Sequence, residues 1–252
     1  MGYVELGGVR TWYEVQGEGE PLVLLHPGGF DSRAMESPAA ELAASYTVYL
    51  LDRRGHGRTP DVPDELSYES MGADTAAFIE TVIEGPAHLV GHSDGAVVGL
   101  LVAQQRPDLV RSLVFSSGVW HHSGWLPGVL ELDEGSMSFM RSWYEEVSPD
   151  GPEHFEEFTA KLDRMHLAGP TLTPADLAGI PVRTLVMAAD DDEMAPEHLI
   201  ALYRALPSAQ LAIVPGTSHG LLLEKPELCM MLIKDFVGTE EIAVIAPVSR
   251  AG

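Results

Sequence analysis

The stretch His88-Leu89-Val90-Gly91-His92-Ser93-Asp94-Gly95-Ala96-Val97-Val98-Gly99-Leu100-Leu101-Val102-Ala103 decides the fold. A short apolar run leads into Gly-x-Ser-x-Gly, and a longer apolar run with helical character follows. Strand, tight turn and helix in that order make a nucleophile elbow, in which small flanking residues permit a strained turn that lifts a serine hydroxyl clear of the backbone. The pentapeptide alone also arises in ordinary Gly/Ser turns, so its weight comes from what surrounds it.

Outward from this stretch the pattern repeats. Leu22-Val23-Leu24-Leu25, Thr47-Val48-Tyr49-Leu50-Leu51, Ser112-Leu113-Val114-Phe115, Thr184-Leu185-Val186-Met187 and Leu211-Ala212-Ile213-Val214 are short apolar runs without alternation, each ending in a polar or Gly-rich turn. Strands buried on both faces read this way. Helical patterns fall between them, at Ser32 to Ser45, Tyr68 to Glu84, Asp94 to Gln105, Pro196 to Leu206 and Lys225 to Val237. Strand and helix in alternation predict a mainly parallel sheet with crossover helices. Two short strands around Gly7-Gly8 precede it. From Trp120 to Ile180 the rhythm breaks into acidic, aromatic and Met-containing stretches punctuated by Pro149, Pro152, Pro170 and Pro174. Because a structureless loop of that length is improbable in a compact domain, this interval reads as an inserted helical cap. The expected division is a core of 1–119 and 181–252 with a cap of 120–180.

Composition narrows the function classes. The 252 residues carry 38 Asp and Glu against 15 Lys and Arg, a formal net charge of −23. Nucleic-acid affinity depends on cations that displace counterions, so neither nucleic acid nor an anionic membrane surface is an expected partner. No apolar run approaches the ~18 residues of a membrane span. The start, Met1-Gly2-Tyr3-Val4-Glu5-Leu6, lacks a basic and apolar leader, which gives a cytoplasmic expectation. The single cysteine, Cys229, lies in an apolar helical pattern and reads as a buried hydrophobe. The tail from Thr239 to Gly252, with Ile242-Ala243-Val244-Ile245, reads as packing on the domain surface or pairing subunits; monomer and homodimer both remain open.

Chemistry gathers where the strands end. Active sites of open parallel sheets form at the carboxyl ends of strands. Here those ends carry His26-Pro27-Gly28-Gly29-Phe30, Asp52-Arg53-Arg54-Gly55-His56-Gly57-Arg58-Thr59, the Ser93 turn, Asp190-Asp191-Asp192 and Pro215-Gly216-Thr217-Ser218-His219-Gly220. Through these five segments, in this order, the chain resembles the α/β-hydrolase superfamily over nearly its whole length. Within it the chain is similar to small bacterial esterases and lactonases, and in part to amino-acid-ester hydrolases with Asp after the nucleophile. The resemblance implies an α/β-hydrolase fold, with helices on both faces of the sheet and an inserted helical cap.

It also implies a catalytic set of Ser93 as nucleophile, His219 as general base and acid, and Asp192 as the orienting acid, with Asp191 as competitor. Ala189 stands where the family pattern around the acid has Gly. The oxyanion hole would combine the N–H of Asp94 with that of Gly28, or of Gly29. No cofactor is implied. The three successive carboxylates raise the question of a cation site, but converging ligands are missing, and no metal is expected. His26, His56 and His92 read as braces of their loops. Trp120, His121 and Trp125 at the start of the cap, and Met140 and Trp143 within it, are candidates for an apolar substrate wall, with core packing as the alternative. Asp94 has two readings: a carboxylate stabilised at a helix N-terminus, or a receiver for a cationic substrate group. Nine acidic residues of the cap, Glu131, Asp133, Glu134, Glu145, Glu146, Asp150, Glu153, Glu156 and Glu157, face only Arg141 in that span. Lining an entrance they would disfavour anions; otherwise they are a solvated helix face.

The expected activity is cleavage of a small uncharged or cationic carboxylic ester or lactone through an acyl-enzyme on Ser93. The same catalytic set serves amidases, thioesterases, carbon–carbon bond hydrolases and cofactor-free perhydrolases, and a binding protein that has lost turnover is the rival from another class.

Overall fold

A computed structural model of the chain describes residues 1–239; the tail segment singled out above lies beyond them, apart from Thr239. Among the described residues eight strands form one sheet: β1 (Gly2–Leu6), β2 (Val9–Gln16), β3 (Glu20–Leu25), β4 (Tyr46–Leu51), β5 (Ala87–His92), β6 (Val110–Ser116), β7 (Thr184–Ala189) and β8 (Ala209–Val214). Their spatial order is β1-β2-β4-β3-β5-β6-β7-β8. The β1–β2 and β2–β4 pairs are antiparallel, and every pair from β4 through β3 to β8 is parallel. This is the α/β-hydrolase fold, with the predicted parallel sheet and an antiparallel hairpin at one edge.

Why the central strands read as unbroken apolar runs is visible in their burial. Leu22 and Leu24 belong to one hydrophobic cluster, Val23 and Leu25 to the other. Consecutive side chains leave opposite faces of a strand, so a sheet covered on both faces needs apolar residues at every position. One face is covered by α1 (Glu36–Leu42) and α9 (Pro226–Gly238), through Ala39, Leu42, Ile233 and Phe236. The other carries α2 (Tyr68–Phe78), α3 (Asp94–Gln105) and α7 (Pro196–Ala205). Helix α3 is buried from Asp94 to Ala103, and Gly99 and Gly72 let it lie close to β6 and α2. A short helix, α8 (Leu221–Glu224), follows His219; α2 continues into a π-helical turn at Ile79–Ile83.

Between β6 and β7 the chain forms α4 (Glu134–Val147), α5 (Phe155–Ala168) and α6 (Pro174–Ala178). Phe155, Phe158, Leu162 and Met165 recur at three- and four-residue spacing, so α5 turns one apolar stripe toward the body. Tyr144 of α4 stacks on Phe158 at 5.1 Å. The stripe also holds Lys161, whose Nζ meets Asp61 Oδ2 at 2.7 Å and the Val62 carbonyl at 2.5 Å. His154 Nε2 reaches the same Asp61 oxygen at 2.8 Å. A buried cation is tolerated only when paired in this way, and the arrangement binds α5 to the loop after β4.

Candidate active site

Positions 91 to 95 bend as the sequence requires. Ser93 has φ +55 and ψ −123, a conformation costly for a residue with a side chain. It is held by its N–H donating to the Ser116 carbonyl at 2.8 Å, and by Ala96 N–H donating back to its own carbonyl at 2.9 Å. No side chain larger than hydrogen fits on either flank. A Cβ on Gly95 would lie 2.0 Å from the Leu25 carbonyl oxygen, and one on Gly91 would lie 2.2 Å from that of Gly95.

Three side chains from three strand ends then meet. His219 Nε2 lies 3.0 Å from Ser93 Oγ, and His219 Nδ1 lies 2.7 Å from Asp192 Oδ1. Asp192 also accepts from Ser117 Oγ at 2.5 Å, from the Ala189 N–H at 3.1 Å and from the Glu193 N–H at 2.8 Å. Burial opposes its charge, but the bond to His219 and these donors prevail and bring its pKa down to about 2. Burial likewise works against a charged His219; the Asp192 bond and the charges of Glu193 and Asp192 outweigh it and raise its pKa. Of the other two carboxylates in the run, Asp190 is spent on the Thr217 N–H at 3.0 Å, and it is Asp192, not Asp191, that bonds His219 Nδ1.

Two loops close on the serine. Asp94, the first residue of α3, has no carbonyl within the helix to take its N–H. Gly28 approaches so closely that a Cβ there would fall 2.1 Å from Asp94 Oδ2. The loop of Gly28 is braced from behind: the buried Arg53 guanidinium donates to the His26 and Pro27 carbonyls at 2.6 and 3.2 Å, and the Arg53 N–H donates to His26 Nε2 at 3.1 Å. His56 packs 5.1 Å from His26, with its pKa lowered by burial to about 4. His92, buried and lowered to about 3, packs at 5.1 Å against the His219 ring. These three histidines brace the loops.

The Asp94 side chain bears on the two readings left open for it. It is 1 % exposed and already fully partnered: Tyr68 Oη donates to Oδ1 at 2.7 Å, and His166 Nε2 sits 3.1 and 3.0 Å from its two oxygens. Burial resists its charge, yet the charge and hydrogen bond of His166, then Arg53 and Tyr68, hold its pKa far below the carboxylate range. His166 is correspondingly raised despite its burial. A substrate cation finds no open carboxylate oxygen here.

A cavity of about 660 Å³ opens above Ser93. Pro27, Phe30, Trp125, Leu126, Met137, Met140 and Leu162 supply its apolar wall; Ser93, Asp94, His166, Glu193 and His219 gather at its polar end. Of the predicted substrate-binding residues Trp125 and Met140 line it, as does Gly28, the expected oxyanion donor. Trp120, His121, Trp143 and Gly29 do not. Trp120 stacks on His198 at 4.7 Å and donates to its carbonyl, so it packs the join to α7. His121 caps its own turn through Ser123. Trp143 faces Phe30 and the Arg33 guanidinium from behind the wall, and Gly29 packs directly under the Met140 sulfur. Of the nine carboxylates of the expected cap, Glu131 alone reaches the cavity. Sequence reasoning passed over His166 and Glu193. Glu193 lies next to Asp192 in the chain, and its Oε2 is 3.5 Å from His219 Nε2. Among the described residues no group of three or more His, Cys, Asp or Glu has the geometry of a metal site, and no helix is long and apolar enough to cross a membrane.

The chain is 27 % identical to RutD of Azorhizobium caulinodans, whose assignment as a carbamate hydrolase is provisional, over 94 % of this chain and 98 % of the relative. It is 26 % identical to the 2-hydroxy-6-oxo-6-(2'-aminophenyl)hexa-2,4-dienoic acid hydrolase of Metapseudomonas resinovorans, covering 89 % and 86 %. Its fold is shared with the enol-lactonase of Burkholderia xenovorans, at a TM-score of 0.75 and 19 % identity over 94 % of this chain and 100 % of that one. The family model for alpha/beta hydrolases matches residues 22–230, from the first parallel strand into the last helix, and the chain belongs to the alpha/beta hydrolase family.

Proposed function

We propose that the protein is a serine hydrolase that cleaves small uncharged or cationic carboxylic esters or lactones through an acyl-enzyme on Ser93. The observation that carries this reading is the unbroken line Ser93 Oγ, His219 Nε2, His219 Nδ1, Asp192 Oδ1, with spacings of 3.0 and 2.7 Å, at the floor of an apolar cavity. Asp192 holds His219 in the tautomer whose Nε2 accepts the serine proton. Ser93 attacks the substrate carbonyl, the proton passes to His219, and the leaving alcohol takes that proton as the acyl-enzyme forms. Water enters, gives a proton to His219 and attacks the acyl carbon; the proton returns to Ser93 as the acid leaves. Proton transfer by a positioned histidine contributes about 10²–10⁴-fold.

The developing oxyanion is assigned to the N–H groups of Asp94 and Gly28, at a helix start and in a loop held rigid by Arg53. Charge argues for the substrate class. Glu131, Asp163 and Glu193 line the cavity, while positive charge on His166 is offset by Asp94. An anionic substrate meets a net negative wall. The relatives named for hydrolysis of a carbamate and of a dienoic acid support the broader class, a hydrolase. A panel of short esters, lactones, amides and thioesters, run with Ser93→Ala as control, tests the reading. Esters or lactones are expected to lead the panel, and Ser93→Ala to lower kcat/KM by about 10⁴-fold or more. Turnover that survives the substitution contradicts it.

A further inference from the structure

His166 lies in α5, 72 residues from Asp94 in the chain, and its ring forms part of the cavity wall beside the nucleophile. Asp94 occupies Nε2 of that ring. Nδ1 has no protein partner among the described residues, although the ring keeps only 14 % side-chain exposure. A second donor nearby is itself fully buried. Trp125 lines the cavity with its ring 6.2 Å from that of His166, and its Nε1 is buried without an acceptor. A buried N–H left unpaired is costly, so donors of this kind in a binding cavity mark where a ligand supplies the acceptor.

We infer that His166 and Trp125 together form a specificity site that holds a neutral acceptor oxygen of the substrate, a keto or amide carbonyl a few atoms from the scissile bond. A neutral oxygen suits it better than a carboxylate. His166 offers no positive charge that Asp94 does not offset, and Asp163 and Glu193 in the same wall repel a full negative charge. Burial works against a charged His166, but the charge and hydrogen bond of Asp94 outweigh it and raise its pKa, which favours the protonated ring, whose Nδ1 donates. The site therefore deepens the proposed reaction by naming the group that accompanies the ester, and it rests on that reading.

The test compares methyl 3-oxohexanoate, methyl hexanoate and monomethyl adipate as substrates of the whole enzyme. The wild type is expected to prefer the 3-oxo ester over both others. His166→Gln places an amide donor near the Nε2 position and removes Nδ1; His166→Asn places a donor near Nδ1 and gives up the Asp94 contact. The ratio of kcat/KM for the 3-oxo ester to that for the plain ester is expected to fall about 10-fold in His166→Gln, mainly through KM. It is expected to stay closer to wild type in His166→Asn. Intrinsic ester reactivity and any general loosening of the wall cancel in this ratio. Trp125→Phe, which keeps the ring and removes the donor, is expected to lower the same ratio and serves if a His166 variant does not fold. A ratio unchanged in His166→Gln and Trp125→Phe, or a preference for monomethyl adipate, overturns the site while leaving Ser93 chemistry intact. A wild-type enzyme that is labelled by a phosphonate at Ser93 yet cleaves none of the three overturns the site as well. One that is neither labelled nor active overturns the hydrolase reading together with it.

Discussion

Glu193 is where a single carboxylate adjusts the proposed chemistry. Its Oε2 is 3.5 Å from the His219 nitrogen that receives the serine proton. Negative charge there favours the imidazolium, and it is among the causes that raise the His219 pKa. A general base must be neutral to act, so kcat/KM falls as pH drops through that pKa. Glu193→Gln removes one source of the raise, and the acidic limb of the profile is expected to move to lower pH. A pH–rate profile checks this, and a limb that stays in place or moves upward contradicts it. Asp192 is expected to behave differently: Asp192→Asn loses the orienting charge and lowers kcat by about 10⁴-fold, the scale found when a triad acid becomes an amide. The sequence made Ser93, Asp192 and His219 legible because each sits in a short motif just after an apolar run. Glu193 and His166 have no such motif. His166 matters through a contact with Asp94 that spans 72 residues, and only tertiary packing creates it. The same packing turns Trp120 and Trp143 away from the cavity, which their aromatic character could not reveal.

Among the elements, α5 joins the inserted segment to the reaction centre. Two largely buried ion pairs fix it, Lys161 on Asp61 and His166 on Asp94, beside an exposed one of Arg164 with Glu65. The second has a definite pH signature. His166 has a pKa raised above its ordinary 6.5, so its contribution to stability is fully present below 6.5 and is lost as pH rises through the folded value. Asp94, depressed from 3.8, contributes above 3.8 and loses its share as pH falls through its own folded value. The pair is therefore strongest between 3.8 and 6.5. The Tm difference between wild type and His166→Gln is expected to be largest in that window and to shrink toward alkaline pH. A difference independent of pH speaks for packing instead of charge. Strands and helices of the sheet were readable because doubly buried strands and one-sided helices leave distinct patterns. The inserted segment showed its helical character but not its orientation, since the acidic run Glu131 to Glu157 is mostly exposed and only Glu131 reaches the cavity.

At the scale of the whole molecule, a parallel sheet brings residues distant in sequence to one edge. Ser93, Asp192 and His219 follow β5, β7 and β8, and Gly28 follows β3; the crossovers place all four at the carboxyl ends of their strands. The net charge of −23 extends the local acidity of the cavity outward and favours approach of neutral or cationic molecules over anions. The central claim is that Ser93 is the nucleophile of an acyl-transfer reaction. The measurement that meets it most directly is stoichiometric labelling with a fluorophosphonate, followed by peptide mapping and by ester turnover on the same sample. One adduct per chain on Ser93, forming in step with loss of activity and absent from Ser93→Ala, is the predicted result. Full ester turnover in a sample that carries no adduct, or an adduct on another residue that accounts for the loss, contradicts it.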